Sequence, residues 1–127
     1  METYMYLCKS RNNMEQQAKF KIVYTEEAID FLSSLPEKAR AKVAYNIGKS
    51  MYVLDNNLFK KLGDTDIWEF RTLYNGMAYR LFAFWDTEAD TLVIATHGIA
   101  KKTQKTPSKE IAKAEERRKE YFKNKRR

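Results

Sequence analysis

The chain is poor in the residues that build disulfides, metal centres and membrane spans. Of its 127 residues only Cys8 is a cysteine, so no internal disulfide can form, and His97 is the only histidine. No histidine, cysteine and carboxylate residues are spaced like metal ligands. No stretch approaches the roughly 18 apolar residues that span a bilayer, and residues 1–13 lack the apolar segment of a signal peptide. We therefore expect a cytoplasmic protein whose chemistry uses ordinary side chains, with no metal and no cofactor.

Positive charge is concentrated in the last quarter of the chain. Residues 1–97 hold 12 lysines and arginines against 13 acidic residues, a net charge of −1. Residues 98–127 hold 12 against 4, a net charge of +8. A local field of that sign favours a polyanion such as nucleic acid. A solvated basic helix that binds nothing has the same composition, so the charge alone leaves both interpretations open.

The first half of the chain predicts one strand and two helices. Residues 20–24 are rich in β-branched and aromatic side chains, which indicates a strand. Thr25 is a typical N-cap, and apolar residues follow it at helical spacing. Pro36 ends this helix and can start a second one, whose apolar stripe runs from Ala39 to Leu54.

The second half of the chain changes to the alternation of β-strands. Asn75-Gly76 is typical of a type I′ hairpin turn, because both central residues of that turn need positive φ. A basic loop later leads to Thr106 and Pro107, which we interpret as the N-cap and first residue of a charged helix. The alternation predicts three strands, over residues 67–73, 77–85 and 91–99.

These elements predict an α+β fold. We expect an antiparallel sheet with the helical hairpin on one face and a C-terminal helix at its edge. The length is that of one domain with its own core. We assign residues 20–127 to that domain and treat residues 1–19 as an N-terminal extension of unassigned structure.

The two-residue turn fixes which residues of the hairpin lie opposite each other. With Asn75 and Gly76 in the turn, Arg71 lies opposite Arg80, and Glu69 shares their face. Two arginines that face each other repel, so their pairing needs a reason. One reason is a clamp for phosphate, whose oxygens suit the rigid guanidinium fork. The other is chance, or compensation by a neighbouring carboxylate such as Glu69.

His97 and five lysines are the remaining candidates for a site. His97 lies near the end of the third predicted strand, just before a basic loop, and histidine exchanges protons near neutral pH. A lone histidine is also often a core or surface group, and consecutive lysines in a loop are often only solvated. The lysines that we consider for phosphate binding are Lys60 and Lys61, in the loop predicted before the first hairpin strand, and Lys101, Lys102 and Lys105 in the basic loop.

Three motifs follow one another in a specific order. They are Trp68-Glu69-Phe70-Arg71, then Ala78-Tyr79-Arg80-Leu81, then the His-Gly-x-x-Lys-Lys-Thr run that starts at His97. Together they resemble the RelE/ParE toxin superfamily, and most closely its phage-related, HigB-like branch. The resemblance covers residues 20–122 and implies a compact, microbial RNase-like fold. It also implies cleavage of mRNA in the ribosomal (30S) A site, and a cognate antitoxin that is often a helix-turn-helix protein.

The resemblance also implies roles for individual residues. Arg80 resembles the family's phosphate-contacting catalytic arginine, and Arg71 resembles a basic residue on the neighbouring strand. Lys102 resembles a basic residue after the third strand, and His97 resembles the histidine of the HigB-like branch. RelE-type members carry a tyrosine on the approach to the last helix, whereas residues 103–111 contain none.

The expected reaction is a metal-independent cleavage in which the 2′-hydroxyl of RNA attacks the adjacent phosphorus. Arg71 and Arg80 would neutralise the phosphorane, His97 would serve in one proton transfer, and Glu69 or a lysine in the other. The expected partners are mRNA, the ribosome and the antitoxin, with no membrane. Two other interpretations are a ParE-like toxin that binds DNA gyrase and cleaves nothing, and a plain nucleic-acid-binding module.

Overall fold

The computed structural model describes residues 17–89, 92–103 and 105–125, so most of the N-terminal extension lies outside the described residues. None of the helices in those ranges is long and apolar enough to cross a membrane. In chain order the elements are β1 (Lys21–Tyr24), α1 (Glu26–Ser34), α2 (Glu37–Ser50), β2 (Phe59–Lys61), β3 (Trp68–Tyr74), β4 (Met77–Asp86), a 3₁₀ turn (Thr87–Ala89), β5 (Leu92–Lys101) and α3 (Ser108–Lys125).

The strands form one sheet in the order β1-β5-β4-β3-β2. β3, β4 and β5 are antiparallel neighbours, as predicted, and the additional strand β2 is antiparallel to β3, whereas β1 lies parallel to β5. Parallel strands need a long crossover, which the helical hairpin and the next three strands provide. The α+β class is confirmed, and the sheet is mixed rather than purely antiparallel.

The short strand β2 corrects the prediction that Lys60 and Lys61 lie in a loop. Both lysines belong to β2, which pairs with β3 and forms one edge of the sheet. A three-residue strand with two lysines shows too little alternation to be found from its sequence. Lysines on such an edge discourage pairing with another chain.

Both faces of the sheet are covered by helices. The helical hairpin packs on one face, over a core that includes Val43, Ile47, Phe70 and Leu81. α3 was predicted to lie at the edge of the sheet. Instead it packs across the other face, because its apolar side chains are buried against that face. That second core contains Ile67, Phe82, Phe84, Ile94 and Ala114, with Ile111, Tyr121 and Phe122 against it.

The end of α2 differs from the prediction. The apolar stripe was expected to continue to Leu54, but the helix ends at Ser50 and the Leu54 side chain is 78% exposed. The other members of the stripe, from Ala39 to Met51, contact the core of the helical-hairpin face.

The β3–β4 hairpin has the predicted turn and register. Asn75 has φ 52° and Gly76 has φ 81°, the two positive values that a type I′ turn requires. Arg71 lies opposite Arg80 in the ladder. The arginine pairing inferred from the turn is therefore confirmed.

A β-bulge in β5 decides which face His97 occupies. Phe82 pairs with His97, but the next residue of β4, Ala83, pairs with Ala95, so Thr96 is the extra residue. Ala95 packs in the core under the helical hairpin. Strict alternation would put His97 on that face too, and the bulge moves it to the face of the arginines.

Candidate functional site

The centre of the candidate site is a carboxylate shared by two arginines. Glu69 Oε1 lies 3.2 Å from Nε of Arg71 and 3.3 Å from Nε of Arg80. The Glu69 side chain is only 2% exposed. The shared negative charge offsets the repulsion between the two guanidinium groups. We call these three residues the arginine–glutamate cluster.

The two arginines of the cluster differ in exposure. The side chain of Arg80 is 3% exposed and that of Arg71 is 22% exposed. Burial lowers the pKa of Arg80, Glu69 raises it, and Arg71 lowers it again. Arginine keeps its charge under such influences, because its ordinary pKa lies far above neutrality. Arg71 is therefore the member of the pair that meets solvent, with Arg80 behind it.

The segment before α3 closes over the buried carboxylate. Thr106 donates its hydroxyl hydrogen to Glu69 Oε2 at 2.9 Å, so both oxygens of Glu69 have partners. The prediction that Thr106 and Pro107 are the N-cap and first residue of the helix is wrong, because α3 begins at Ser108. Instead the hydroxyl of Thr106 fixes the loop to the site, and the Pro107 carbonyl accepts from the Glu110 N–H at 3.1 Å.

His97 is buried beneath the first turn of α3, with a side chain that is 3% exposed. Its Nε2 lies 3.2 Å from Glu110 Oε1, and its Nδ1 lies 2.9 Å from the hydroxyl of Thr96. Burial lowers the pKa of His97 and Lys113 lowers it further, whereas Glu110 and Glu27 raise it. The balance favours a neutral imidazole near pH 7, with both ring nitrogens engaged.

The four predicted catalytic residues lie in two neighbouring rows on one face of the sheet. The first row is Lys60, Glu69, Phe82 and His97, and the second is Arg71, Arg80 and Ile99. The arginines and Glu69 are in direct contact, whereas Phe82 separates His97 from Glu69 within their row. The structure thus brings three of the four residues together and places His97 beside them.

The five candidate lysines do not form one group. Lys60 lies in the row of the buried carboxylate, and Lys101 lies on the same face, one row beyond the arginines. Lys102 and Lys105 are exposed in the loop that follows β5. Lys61 lines a separate cleft, formed where β3 begins. Lys60 and Lys101 therefore share the sheet face of the arginine–glutamate cluster, whereas Lys102 lies beside the β3–β4 turn and Lys61 lines another surface.

Three residues that hold the site together were not predicted. Thr106 binds Glu69, while Glu110 and Thr96 bind His97. An acidic residue in the first turn of a helix usually complements the helix dipole, so its position does not mark Glu110 as a partner of His97. Thr106 and Glu110 lie far in sequence from their partners, so no local pattern could have indicated these two contacts.

The site offers cationic and hydrogen-bonding groups. Within the part of the chain that the structure describes, no three histidine, cysteine or carboxylate residues are grouped so as to bind a metal ion. Two guanidinium groups and nearby lysines suit a phosphate oxygen or another oxyanion. The arrangement can therefore stabilise negative charge that develops on a bound group.

Comparisons with known proteins give a family and a fold. A family model described as Phage derived protein Gp49-like (DUF891) matches residues 30–119. No curated protein matches the sequence. The crystal structure of the toxin–antitoxin complex RelBE2 from Mycobacterium tuberculosis is similar over 68% of this chain and 97% of that chain, with a TM-score of 0.53 and 21% sequence identity.

Two E. coli structures are also similar. The isolated RelE toxin matches over 73% of this chain and 94% of that chain, at 17% identity and a TM-score of 0.49. The intact RelBE complex matches over 68% and 99%, at 16% identity and a TM-score of 0.48. The likeness to the Mycobacterium structure concerns the fold, and it confirms the RelE-like α+β architecture.

Proposed function

The chain belongs to the phage-derived Gp49-like family, and from this premise we propose that it is the toxin of a type II toxin–antitoxin pair and a metal-independent mRNA endonuclease. Membership of the family and the fold bear out the resemblance to the RelE/ParE superfamily. The observation that carries the proposed activity is the arginine–glutamate cluster. It places two guanidinium groups on one face of the sheet, next to a basic loop.

The cluster suits a reaction in which the 2′-hydroxyl of RNA attacks the adjacent phosphorus. The bond to the 5′-oxygen breaks, leaving a 2′,3′-cyclic phosphate and a free 5′-hydroxyl. Arg71 and Arg80 stabilise the negative charge that develops on the phosphorane. Arg71 contacts Glu69 through Nε and donates from Nη1 to the Asn56 carbonyl at 3.4 Å, so its Nη2 can face a phosphate.

Two proton transfers complete the reaction. His97 is our candidate for one, because its lowered pKa keeps the imidazole neutral and able to accept a proton. Glu69 or one of the lysines Lys60, Lys101, Lys102 and Lys105 serves in the other. Because Glu110 engages His97 Nε2, proton transfer at this nitrogen requires that the contact opens when RNA binds.

We place the reaction in the cytoplasm, on mRNA in the ribosomal A site. The similar Mycobacterium protein was solved in a toxin–antitoxin complex. By extension we propose a cognate antitoxin for this chain, of the helix-turn-helix type, that covers or deforms its basic surface. Complementary charge would speed the association of the two proteins.

The proposal is tested with purified protein and ribosomes programmed with a defined mRNA. We expect cleaved mRNA with 2′,3′-cyclic phosphate ends, and cleavage that persists when EDTA is added under conditions that keep the ribosome intact. Expression of the chain should slow growth, and co-expression of the adjacent reading frame should restore it. Growth inhibition through gyrase without RNA cleavage would instead support the ParE-like alternative.

A further inference from the structure

A cleft of about 870 Å³ lies at the end of the sheet away from the hairpin turn. It is bounded by the start of β3, the end of β4 and the last turns of α3. This volume is typical of a ligand site. We call it the tryptophan cleft, and the lining residues that matter here are Lys61, Trp68, Trp85, Lys119, Phe122 and Lys123.

The cleft combines aromatic rings with free cationic groups. The rings of Trp68 and Trp85 are 5.8 Å apart in an edge-to-face arrangement, and both are partly exposed. The three lysines of the cleft make no ion pair with any residue that the structure describes. The acidic residues at the rim have partners already, because Arg118 lies 3.7 Å from Asp66 and Lys125 lies 3.1 Å from Glu88.

The indole of Trp85 is held in a fixed position at the cleft. Its indole Nε1 is buried, and no acceptor for this N–H occurs among the described residues. The part of the indole that a ligand can reach is therefore its exposed carbon surface. Phe20 packs edge-on against this indole at 5.2 Å, which fixes the ring in place.

We propose that the tryptophan cleft binds single-stranded RNA, with a base against the tryptophans and backbone phosphates on the lysines. Aromatic faces and a cationic groove are the combination that binds single strands without sequence preference. An acidic peptide would satisfy the lysines but leaves the indole surface without a stacking partner. The inference rests on the proposed function, because the RNA is the same substrate.

The cleft lies outside the cleavage site, so its binding can be measured separately. Lys119 is nine residues beyond Glu110 on α3, about 14 Å along the helix axis. RNA held in the cleft would extend the contact between enzyme and substrate without touching the reacting phosphate. We therefore expect the cleft to affect RNA affinity and not the chemistry of cleavage.

The chain carries its own reporter for this test, because its two tryptophans both line the cleft. The experiment titrates a short 2′-O-methyl RNA, which cannot be cleaved by the proposed route, into the full-length protein. We expect saturable quenching of tryptophan fluorescence as a base stacks on the indoles.

Two sets of variants separate the cleft from general charge attraction. The double variant Lys119→Ala/Lys123→Ala should bind more weakly, and its slope of log affinity against log salt should be smaller by about 1.4, or 0.7 per phosphate contact. The matched control is Lys38→Ala/Lys42→Ala, which removes two exposed lysines at the same spacing from α2 and should bind as wild type.

Three results would overturn the inference. If the protein cleaves RNA but RNA does not change the tryptophan fluorescence, the proposed binding in the cleft is wrong and the proposed cleavage activity is not affected. Equal weakening by both lysine pairs would reduce the effect to general attraction. Quenching by polyglutamate and not by RNA would assign the cleft to an acidic protein. Conversely, an intact binding signal in a protein that cleaves no mRNA would leave the cleft standing and contradict the proposed function.

Discussion

Glu69 explains how two arginines can face each other on adjacent strands. Its carboxylate lies within 3.3 Å of both guanidinium groups, and Thr106 satisfies its other oxygen. A buried ion pair of this kind adds little net stability when complete, but removing one partner leaves an uncompensated buried charge. Removing Glu69 or Arg80 should therefore lower the stability of the protein as well as alter the charges that we assign to catalysis.

Replacing Glu69 tests this effect on stability. Glu69→Gln keeps the shape of the side chain but leaves Arg71 and Arg80 without their shared anion, and should lower the free energy of unfolding by about 3–5 kcal/mol. Urea denaturation measures the change. The matched control, Glu116→Gln, alters an exposed carboxylate of α3 and should leave the midpoint near that of wild type. Equal midpoints for both variants would show that Glu69 does not hold the arginines.

The lowered pKa of His97 predicts how the free energy of unfolding changes with pH. Burial, followed by Lys113, lowers this pKa below its ordinary value of 6.5. As the pH falls, the unfolded chain therefore binds the proton first, so the free energy of unfolding falls with it. The loss should reach at most about 1.4 kcal/mol per pH unit below pH 6.5, until the folded-state pKa is passed.

The comparison of wild type with His97→Gln isolates this contribution. Urea denaturation at pH 7.5 and pH 5 gives the loss of stability for each protein. The variant should lose less than wild type, because its residue 97 cannot be protonated. The same loss in both proteins would mean that the folded protein does not disfavour the charged imidazole.

Among the elements, α3 is attached to the sheet at both ends. Its first turn holds His97 through Glu110, and its last turns hold the buried Asp86. Asp86 accepts from Lys125 Nζ and from the Tyr121 hydroxyl, each at 2.6 Å. Lys125 and then Tyr121 lower the pKa of Asp86, so its carboxylate stays charged although it is buried. One helix therefore forms the roof of the candidate site and a wall of the tryptophan cleft.

The packing of α1 on β5 depends on Gly98. A Cβ atom at this position would overlap the ring of Phe31, which lies directly on the strand. Gly98→Ala should therefore lower the free energy of unfolding by about 1–3 kcal/mol, the usual cost of overpacking. Gly48→Ala is the control of opposite sign, because its Cβ meets open space within α2 and should stabilise the helix by up to about 1 kcal/mol. Thermal melting distinguishes them, and a Gly98→Ala protein as stable as wild type would contradict this packing.

The elements also show which parts of the site are predictable from sequence. The facing arginines could be derived because a two-residue turn and the two-residue period of a strand fix every pair in the hairpin. The bulge at Thr96 could not, since nothing local marks an extra residue in β5. Thr106 and Glu110 were likewise missed, because their partners lie 37 and 13 residues away in the chain.

For the whole molecule, the basic surplus of the last quarter is only partly free to act on a partner. Lys113 lies 2.6 Å and Arg117 lies 3.3 Å from the carboxylate of Glu27, so these charges attach α3 to α1. Lys101 lies one row beyond the arginines, Lys102 and Lys105 are exposed in the loop after β5, and Lys119 and Lys123 line the tryptophan cleft. The positive charges of residues 98–127 are thus divided between ion pairs within the protein and two separate surfaces.

We propose that this chain cleaves mRNA with the aid of its facing arginines, and the Arg71→Ala variant is the sharpest test of that proposal. Arg71 is the more exposed member of the pair. When the Arg71 side chain is removed, Glu69 still has Arg80 and Thr106 as partners. We predict that the single-turnover rate of mRNA cleavage on programmed ribosomes falls by about 10²–10³, the usual loss for one donor that stabilises the transition state. Lys42→Ala, an exposed change on α2, should cleave at the wild-type rate. A folded Arg71→Ala protein that cleaves as fast as wild type would contradict the account.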